Sequence, residues 1–433
     1  MYEAAVAGVA PAPLVNAALR DFEASPAQRV WLFAVGKAAH AMASGAVGAL
    51  RRSLHSLAGG VIVAPELAPA PFGTLRAIEG DHPIPGRRSA SAARILGETA
   101  AGMRGDDIAI VLISGGASSL IAAPLPGLAD GDIEHLFTLL MDAGLDIGAM
   151  NMVRKRFTRW GAGRLALALA PARTHVLIMS DVPGDEPSEV GSGPCSPDRS
   201  TVREVIAALE RADLVERIAP AMRDHLRAVA RGVTPETPKP SHPAFAHVSV
   251  RVVGTNSLAL DAAAALGRSL AIEVAKSPDF LAGDAASCGQ AVATRLIDQA
   301  TRGVTGCTIW GSETTVRLRP REHARLDVPV ASGSGGRCQE LALAASRALC
   351  LGGEAAGRVT ILAAGTDGRD GPTDAAGAFA DASVWRSIAE RGDDPASTLA
   401  RHASYAALDV AGALFRRGPT GTNVMDVVIG LVE

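Results

Sequence analysis

AIVLISGGASSLI, residues 109–121, decides the fold. An unbroken apolar run ends in Ser114-Gly115-Gly116-Ala117-Ser118-Ser119, and apolar residues then resume. A run without alternation fits a strand buried on both faces, the condition of a strand inside a parallel sheet. The small residues after it read as the turn into a helix. The same unit recurs as WLFAVGKAAHAMA (31–43), HVLIMSDVPGDEP (175–187), VRVVGTNSLALDAAA (250–264) and VTILAAGTDGRDGPTDAAG (359–377), with GGVIVAPE (59–66) as a sixth strand. Strands alternating with Ala-rich helices predict a doubly wound α/β architecture.

The rest of the chain agrees. At 433 residues it is long enough for two or three domains, and 48% hydrophobic against 20% charged residues supplies a large core. Aromatics at 3% and a net charge of -3 leave neither base-stacking platforms nor a basic footprint, which argues against a nucleic-acid partner. The five cysteines form no CxxC pair, so reduced thiols are expected. The N-terminal stretch lacks a signal-peptide pattern, and no uncharged apolar run approaches the ~20 residues of a membrane helix. A soluble, cytoplasmic protein without a membrane partner is expected, and a homodimer is left open. Four prolines from Pro235 to Pro243 mark the boundary, giving domains 1–235 and 245–433. Before it, 200–232 reads as two helices. After it, 307–320 and 326–337 read as a strand pair opening into a Gly-rich turn.

Gly/Ser turns at the C-terminal ends of parallel strands are anion sites in waiting, because the backbone can approach and helix N-termini offer N–H groups. Ser114, Gly115, Gly116, Ser118 and Ser119 make the strongest such turn. Steric preference alone would explain one turn of this kind; several together favour phosphate or carboxylate binding. Lys37 follows Gly36 at a strand end, where its ammonium can reach a phosphate or simply be solvated. Arg337 follows ASGSGG (331–336), including Gly335 and Gly336, and offers a fork for an anion or a partner for Glu340 at helical spacing. Asp181 and Asp185 share one turn, while Asp367, Asp370 and Asp374 share another. Such acids suit Mg²⁺ as well as helix caps and Asx-turns. His82, in GDHPIP, reads as structural, and Arg154-Lys155-Arg156 beside Asn151 as a solvated helix face or an anion-guiding rim. GxxxxGK[ST] and the protein-kinase elements are absent, and no GxGxxG follows a strand.

In this order, VGKAA, GDHPIPG, LISGGASSL, the SDVPGD…SGP…PD block, SETT, GGRxQE and GTDGxDGPTDAAG resemble the glycerate 2-kinase family. These are the class II glycerate kinases with a C-terminal MOFRL domain, and the resemblance covers nearly the whole chain. It implies a Rossmann-like first domain, an α/β MOFRL domain and an active site in the cleft between them. The implied reaction is ATP-dependent phosphorylation of the 2-hydroxyl of D-glycerate, with Mg²⁺, giving 2-phosphoglycerate. The family's catalytic lysine and arginine fall on Lys37 and Arg337. Asp185 is then the candidate for the 2-hydroxyl, and Asp367 and Asp370 for the metal. Asp181, Gly335, Gly336 and the 114–119 loop are left for substrate and phosphate. The chain departs from the family pattern at Cys195, Ser312 and Cys338. Rival readings are an NAD(P)H-dependent hydroxypyruvate reductase, a label carried by family members, and a non-catalytic sugar-acid or phosphate sensor.

Overall fold

The computed structural model describes residues 1–433 apart from 26, 54, 56, 68–72, 146 and 317–333. They divide into two compact units, one of Pro11–Gly254 and one of Met1–Ala10 with Thr255–Glu433.

The first unit is built on six strands: β1 (Val30–Val35), β2 (Leu57–Ala64), β3 (Leu75–Glu79), β4 (Ile108–Ile113), β5 (Arg173–Met179) and β6 (Val248–Gly254). All neighbours are parallel, in the order β3-β2-β1-β4-β5-β6. This is the doubly wound order, which reverses between β1 and β4. Every residue of β4 is buried, as its unbroken apolar run predicts. Phe33, Val35, Val111, Ile113 and Ile178 pack with Leu96 and Leu165 from flanking helices. A second, helical core joins Phe137, Val153 and Phe157 to Val205 and Met222. The last two come from helices Val202–Arg211 and Pro220–Ala230, the pair read from 200–232.

Among the described residues the second unit has seven strands: β7 (Val274–Lys276), β8 (Leu281–Asp284), β9 (Gly306–Thr315), β10 (Val359–Gly365), β11 (Gly377–Ala380), β12 (Leu414–Phe415) and β13 (Asp426–Val432). Here the parallel expectation fails. β10 pairs antiparallel with β11 and β13, and β13 antiparallel with β9; only β7 and β8 run parallel to β9. The turn after β10 returns as strand β11, where a helix was expected. An acidic Gly-rich turn permits either outcome, and the Ala/Gly content of 375–380 lets β11 lie close against β10. The strand read at 326–330 and the loop residues 331–333 lie outside the described residues.

The domain boundary also moves. The Pro-rich segment 233–245 belongs to the first unit, and the division falls between Gly254 and Thr255. Prolines stop helices and central strands, but they do not prevent a segment from being tied down. Glu236 pairs with Arg156, Thr237 Oγ1 donates to Asp198 at 2.8 Å, and Asp198 N–H donates to the Pro238 carbonyl at 3.0 Å. The chain then still supplies β6. At the other end, the helix Tyr2–Gly8 joins the second unit, where the Tyr2 hydroxyl donates to the Gly365 carbonyl at 2.7 Å.

Candidate active site

Open doubly wound sheets bind ligands beyond the carboxyl ends of their strands, where the strand order reverses. In the first unit that point carries the β1 and β4 turns, which are stitched together. Gly36 N–H donates to the Val63 carbonyl at 3.1 Å, Lys37 N–H to the Gly115 carbonyl at 2.9 Å, and Ala38 N–H to Ser114 Oγ at 3.1 Å. Gly36 has φ +132°, and a Cβ there would come within 2.1 Å of Ser114 Oγ. Only glycine fits this crossing.

Around Gly115 and Gly116 the side chains converge. A Cβ on Gly115 would lie 1.9 Å from Asp181 Oδ2, so the carboxylate covers that glycine. A Cβ on Gly116 would lie 3.0 Å from the His82 ring and 3.5 Å from Lys37 Cγ. The structure therefore joins Lys37, Gly115, Gly116 and Asp181, and adds His82, which the sequence reading left as structural. The His82 residue is exposed, yet its ring edge lies on Gly116. Loss of water around the ring, and then the charges of Lys37 and Arg154, hold its pKa below the usual imidazole value. A neutral ring at this point can donate or accept a hydrogen bond. In the adjoining β5 turn, Asp185 holds φ +55°, and its buried Oδ1 has no hydrogen-bond partner among the described residues. Aspartate adopts this backbone more readily than most residues, and a buried carboxylate oxygen without a partner sets Asp185 apart within that turn.

Other members of the loop act differently from expectation. The helix that begins within SGGASS is one turn, Ala117–Leu120, too short to lend a macrodipole. Ser114 is buried and accepts from Ala38 N–H, while Ser119 is buried and donates to the Gly116 carbonyl at 3.3 Å. Both hydroxyls are engaged within the β1 and β4 turns. Ser118 is partly exposed and shares a hydrogen bond with Ser192 at 2.6 Å.

Arg337 opens the helix Arg337–Leu351 in the second unit. It does not pair with Glu340, the bland alternative. Its Nε donates to Asp426 Oδ2 at 2.5 Å, and its Nη2 to Asp426 Oδ1 at 2.9 Å and Glu313 Oε2 at 3.1 Å. Burial opposes its charge, but Asp426 and Glu313 outweigh that and hold its pKa well above the ordinary value. Glu340 instead shares a hydrogen bond with His402 Nδ1 at 2.7 Å. Gly335 and Gly336 make close approaches to their own chain, since Cβ atoms there would strike Ser404 Oγ at 2.3 Å and Asp370 Cγ at 2.2 Å. Both positions are held by close packing against their own chain. Asp426 and Glu313 were missed. The available signal was a single acid opening the apolar run DVVIGLV, and another inside the strand that ends SETT.

The Asp367 and Asp370 pair does not fit a protein-held Mg²⁺. Such an ion needs open oxygen ligands. Asp370 is buried, with one oxygen accepting Cys338 N–H at 3.1 Å and the other Gln339 N–H at 2.8 Å, so it caps the Arg337 helix. Burial first, and the Asp426 charge second, push its pKa up to about 7. Asp367 Oδ1 accepts Arg369 N–H at 3.0 Å in an Asx-turn. Asp374 bonds Tyr405 and Arg416 at the surface. Among the described residues, no three His, Cys, Asp or Glu side chains are grouped to hold a metal ion. The cysteines are all unpaired with one another, and no described helix is long and apolar enough to cross a membrane.

This architecture, a doubly wound α/β unit followed by a mixed α/β unit, coincides with two family models. Residues 1–227 match the family described as Domain of unknown function (DUF4147), and residues 306–426 match the MOFRL family. A D-glycerate 2-kinase from Thermotoga maritima is 33% identical over 408 residues, covering 93% of this chain and 91% of the relative. A putative hydroxypyruvate reductase from Agrobacterium vitis is 35% identical over 374 residues, covering 85% and 91%. The crystal structure of a glycerate kinase from Thermotoga maritima superimposes with TM-score 0.82 at 31% identity, covering 100% of this chain and 97% of that one. The chain belongs to the glycerate 2-kinase family, whose C-terminal part is the MOFRL domain.

Proposed function

We propose that this chain transfers the γ-phosphoryl group of ATP to the 2-hydroxyl of D-glycerate, giving 2-phosphoglycerate and ADP. Family membership supports the reaction, and the observation that carries it to residues is Lys37 fixed over Gly115 and Gly116 where the strand order reverses. In this reading the glycerate 2-oxygen attacks the γ-phosphorus, and the bond to the β-phosphate oxygen breaks. The hydroxyl proton passes to Asp185, whose Oδ1 awaits a partner. Lys37 meets the charge on the transferring phosphoryl group, and Arg337, aligned by Asp426 and Glu313, has the same assigned role. Such transfers rest on positioning and on charge stabilisation, with little covalent work for the protein. Gly115, Gly116 and Ser118 leave room for substrate backbone approach, and Asp181 orders that loop. Mg²⁺ enters with ATP as part of the substrate.

The reductase reading, which comes from the name of the Agrobacterium relative, is disfavoured at the β1 turn. A dinucleotide pyrophosphate commonly sits on a Gly-x-Gly-x-x-Gly turn there, and this chain has Gly36-Lys37-Ala38. Phosphorus NMR of a mixture of protein, MgATP and D-glycerate should show 2-phosphoglycerate growing as ATP declines, with turnover abolished by chelating Mg²⁺. Product that is solely 3-phosphoglycerate refutes the regiochemistry. NAD(P)H oxidation with hydroxypyruvate in the absence of any ATP turnover refutes the kinase.

A further inference from the structure

The helix Ile147–Phe157 carries three consecutive cations, and all three are buried: Arg154 is 8% exposed, Lys155 3% and Arg156 1%. This corrects the solvated-face reading of NMVRKRF. Burying a charge is tolerated when a carboxylate or a network of acceptors goes with it. Lys155 has Glu189 at 2.5 Å, and Arg156 has Glu236 and Asp198. Arg154 has none. Among the described residues its guanidinium finds only the Met150 sulfur, 3.9 Å from Nη2, and the face of Phe137, 4.2 Å from Cζ; its buried Nε has no hydrogen-bond partner.

The helix that holds Arg154 is tied to the glycine loop. Asn151 Nδ2 donates to the Glu189 carbonyl at 3.3 Å and Lys155 to the Glu189 carboxylate, while Ser192, three residues on, bonds Ser118. Arg154 and Lys37 both act electrostatically on His82, which rests on Gly116. A planar fork with two of its neighbours supplied with acids and itself left without one is built to receive a carboxylate from outside.

We infer that Arg154 is the specificity residue that receives the carboxylate of the 2-hydroxy acid substrate, the ligand supplying the acid that the chain withholds. The inference deepens the kinase reading and rests on it for the identity of the substrate. It also explains why the acceptor must be a hydroxy acid and not a plain alcohol: without a carboxylate the buried guanidinium stays unpaired.

The test uses full-length protein and the variants Arg154→Met, which keeps the stem against Phe137, and Arg154→Lys, which keeps charge without the fork. Calorimetric titration of D-glycerate without ATP, and steady-state kinetics, are read beside melting temperature. Arg154→Met should weaken D-glycerate binding and raise its KM by about thirtyfold or more, the scale of losing a charged hydrogen-bond pair. KM for ATP should stay within about twofold and melting temperature should not fall, since an unpaired buried charge has been removed. Arg154→Lys should recover only a small part of the affinity. D-Glyceramide, the neutral amide, should bind wild type weakly and the Met variant no worse. Wild-type KM for D-glycerate in either variant overturns the inference, as does a rise confined to KM for ATP. Should Arg154→Met not fold, full D-glycerate affinity in Arg154→Lys overturns it as well. If wild type shows no ATP turnover, the kinase reading falls by itself, and the calorimetric comparison still decides whether Arg154 binds the carboxylate.

Discussion

Two arginines, one in each unit, are handled in opposite ways. Arg337 is gripped by Asp426 and Glu313, so its charge is answered inside the protein. Arg154 is more deeply buried and has no carboxylate among the described residues. The difference teaches what each substitution removes. Truncating Arg154 removes the place proposed for a ligand, whereas truncating Arg337 also strands an acid, Asp426, that the fold has already buried. Lys37 gives a third case, an exposed cation on a rigid turn, whose loss should touch chemistry and leave the fold alone.

The largest expected effect is at Arg337. Arg337→Ala should cost about 3 kcal/mol of stability, because Asp426 is left buried without its partner, and should lower kcat at least about a hundredfold. Combining it with Asp426→Asn should restore much of the stability without restoring turnover. Urea unfolding and initial rates on the same preparations separate the two losses. If Arg337→Ala keeps wild-type stability, Arg337 is not the structural counterpart that this contrast requires.

Lys37→Ala comes next. The same hundredfold or greater loss in kcat is expected, with KM changed less, since an interaction made mainly in the transition state shows in kcat. Stability should move by under ~0.5 kcal/mol, as for exposed positions generally. Wild-type turnover in the folded variant would falsify the role given to Lys37. A stability loss as large as that of Arg337→Ala would erase the difference between the two cations.

The first unit was legible where one local pattern has one structural meaning. Runs such as 109–113 are apolar throughout because both faces of the sheet are covered, and the glycine turns follow from the crossing of β1 and β4. That Gly36, Lys37, Gly115 and Gly116 lie in turns at strand ends was therefore readable; that they meet comes from the pairing of β1 with β4. The second unit depends on pairings that no local pattern encodes. Arg337 meets Asp426 from 89 positions away, and Tyr2 meets Gly365 from 363. The turn after β10 has the same composition whether a helix or strand β11 follows it. Asp370 reads identically as a metal ligand and as a helix cap, because both need an exposed lone pair in a Gly-rich turn. The serines of 114–119 and the cations of 154–156 were noticed, but their burial, which decides their roles, comes from packing against distant helices.

The last expected effect is one of pH, and it tests whether acids in the second unit are crowded as the Arg337 contrast demands. Asp370 has its pKa pushed up to about 7, chiefly by burial and then by Asp426. An unfolded chain returns it to about 3.9. Below that value both states carry the proton, and the group's favourable contribution to folding is complete. As pH rises from about 4 to about 7 the unfolded state ionises while the folded state resists, so that contribution is lost; above 7 both are ionised and the curve flattens. The slope contributed is on the order of 1 kcal/mol per pH unit across that window. Asp370→Asn cannot ionise, and one amide oxygen still accepts an N–H at the helix cap. The stability of wild type minus that of Asp370→Asn, measured by urea unfolding from pH 5 to pH 8, should therefore fall with pH and level off near the top. Parallel curves would mean that Asp370 ionises in the folded protein as readily as in the unfolded chain. The two helix N–H groups would then outweigh both burial and Asp426, and Arg337 would be compensating fewer charges than the contrast with Arg154 assumes.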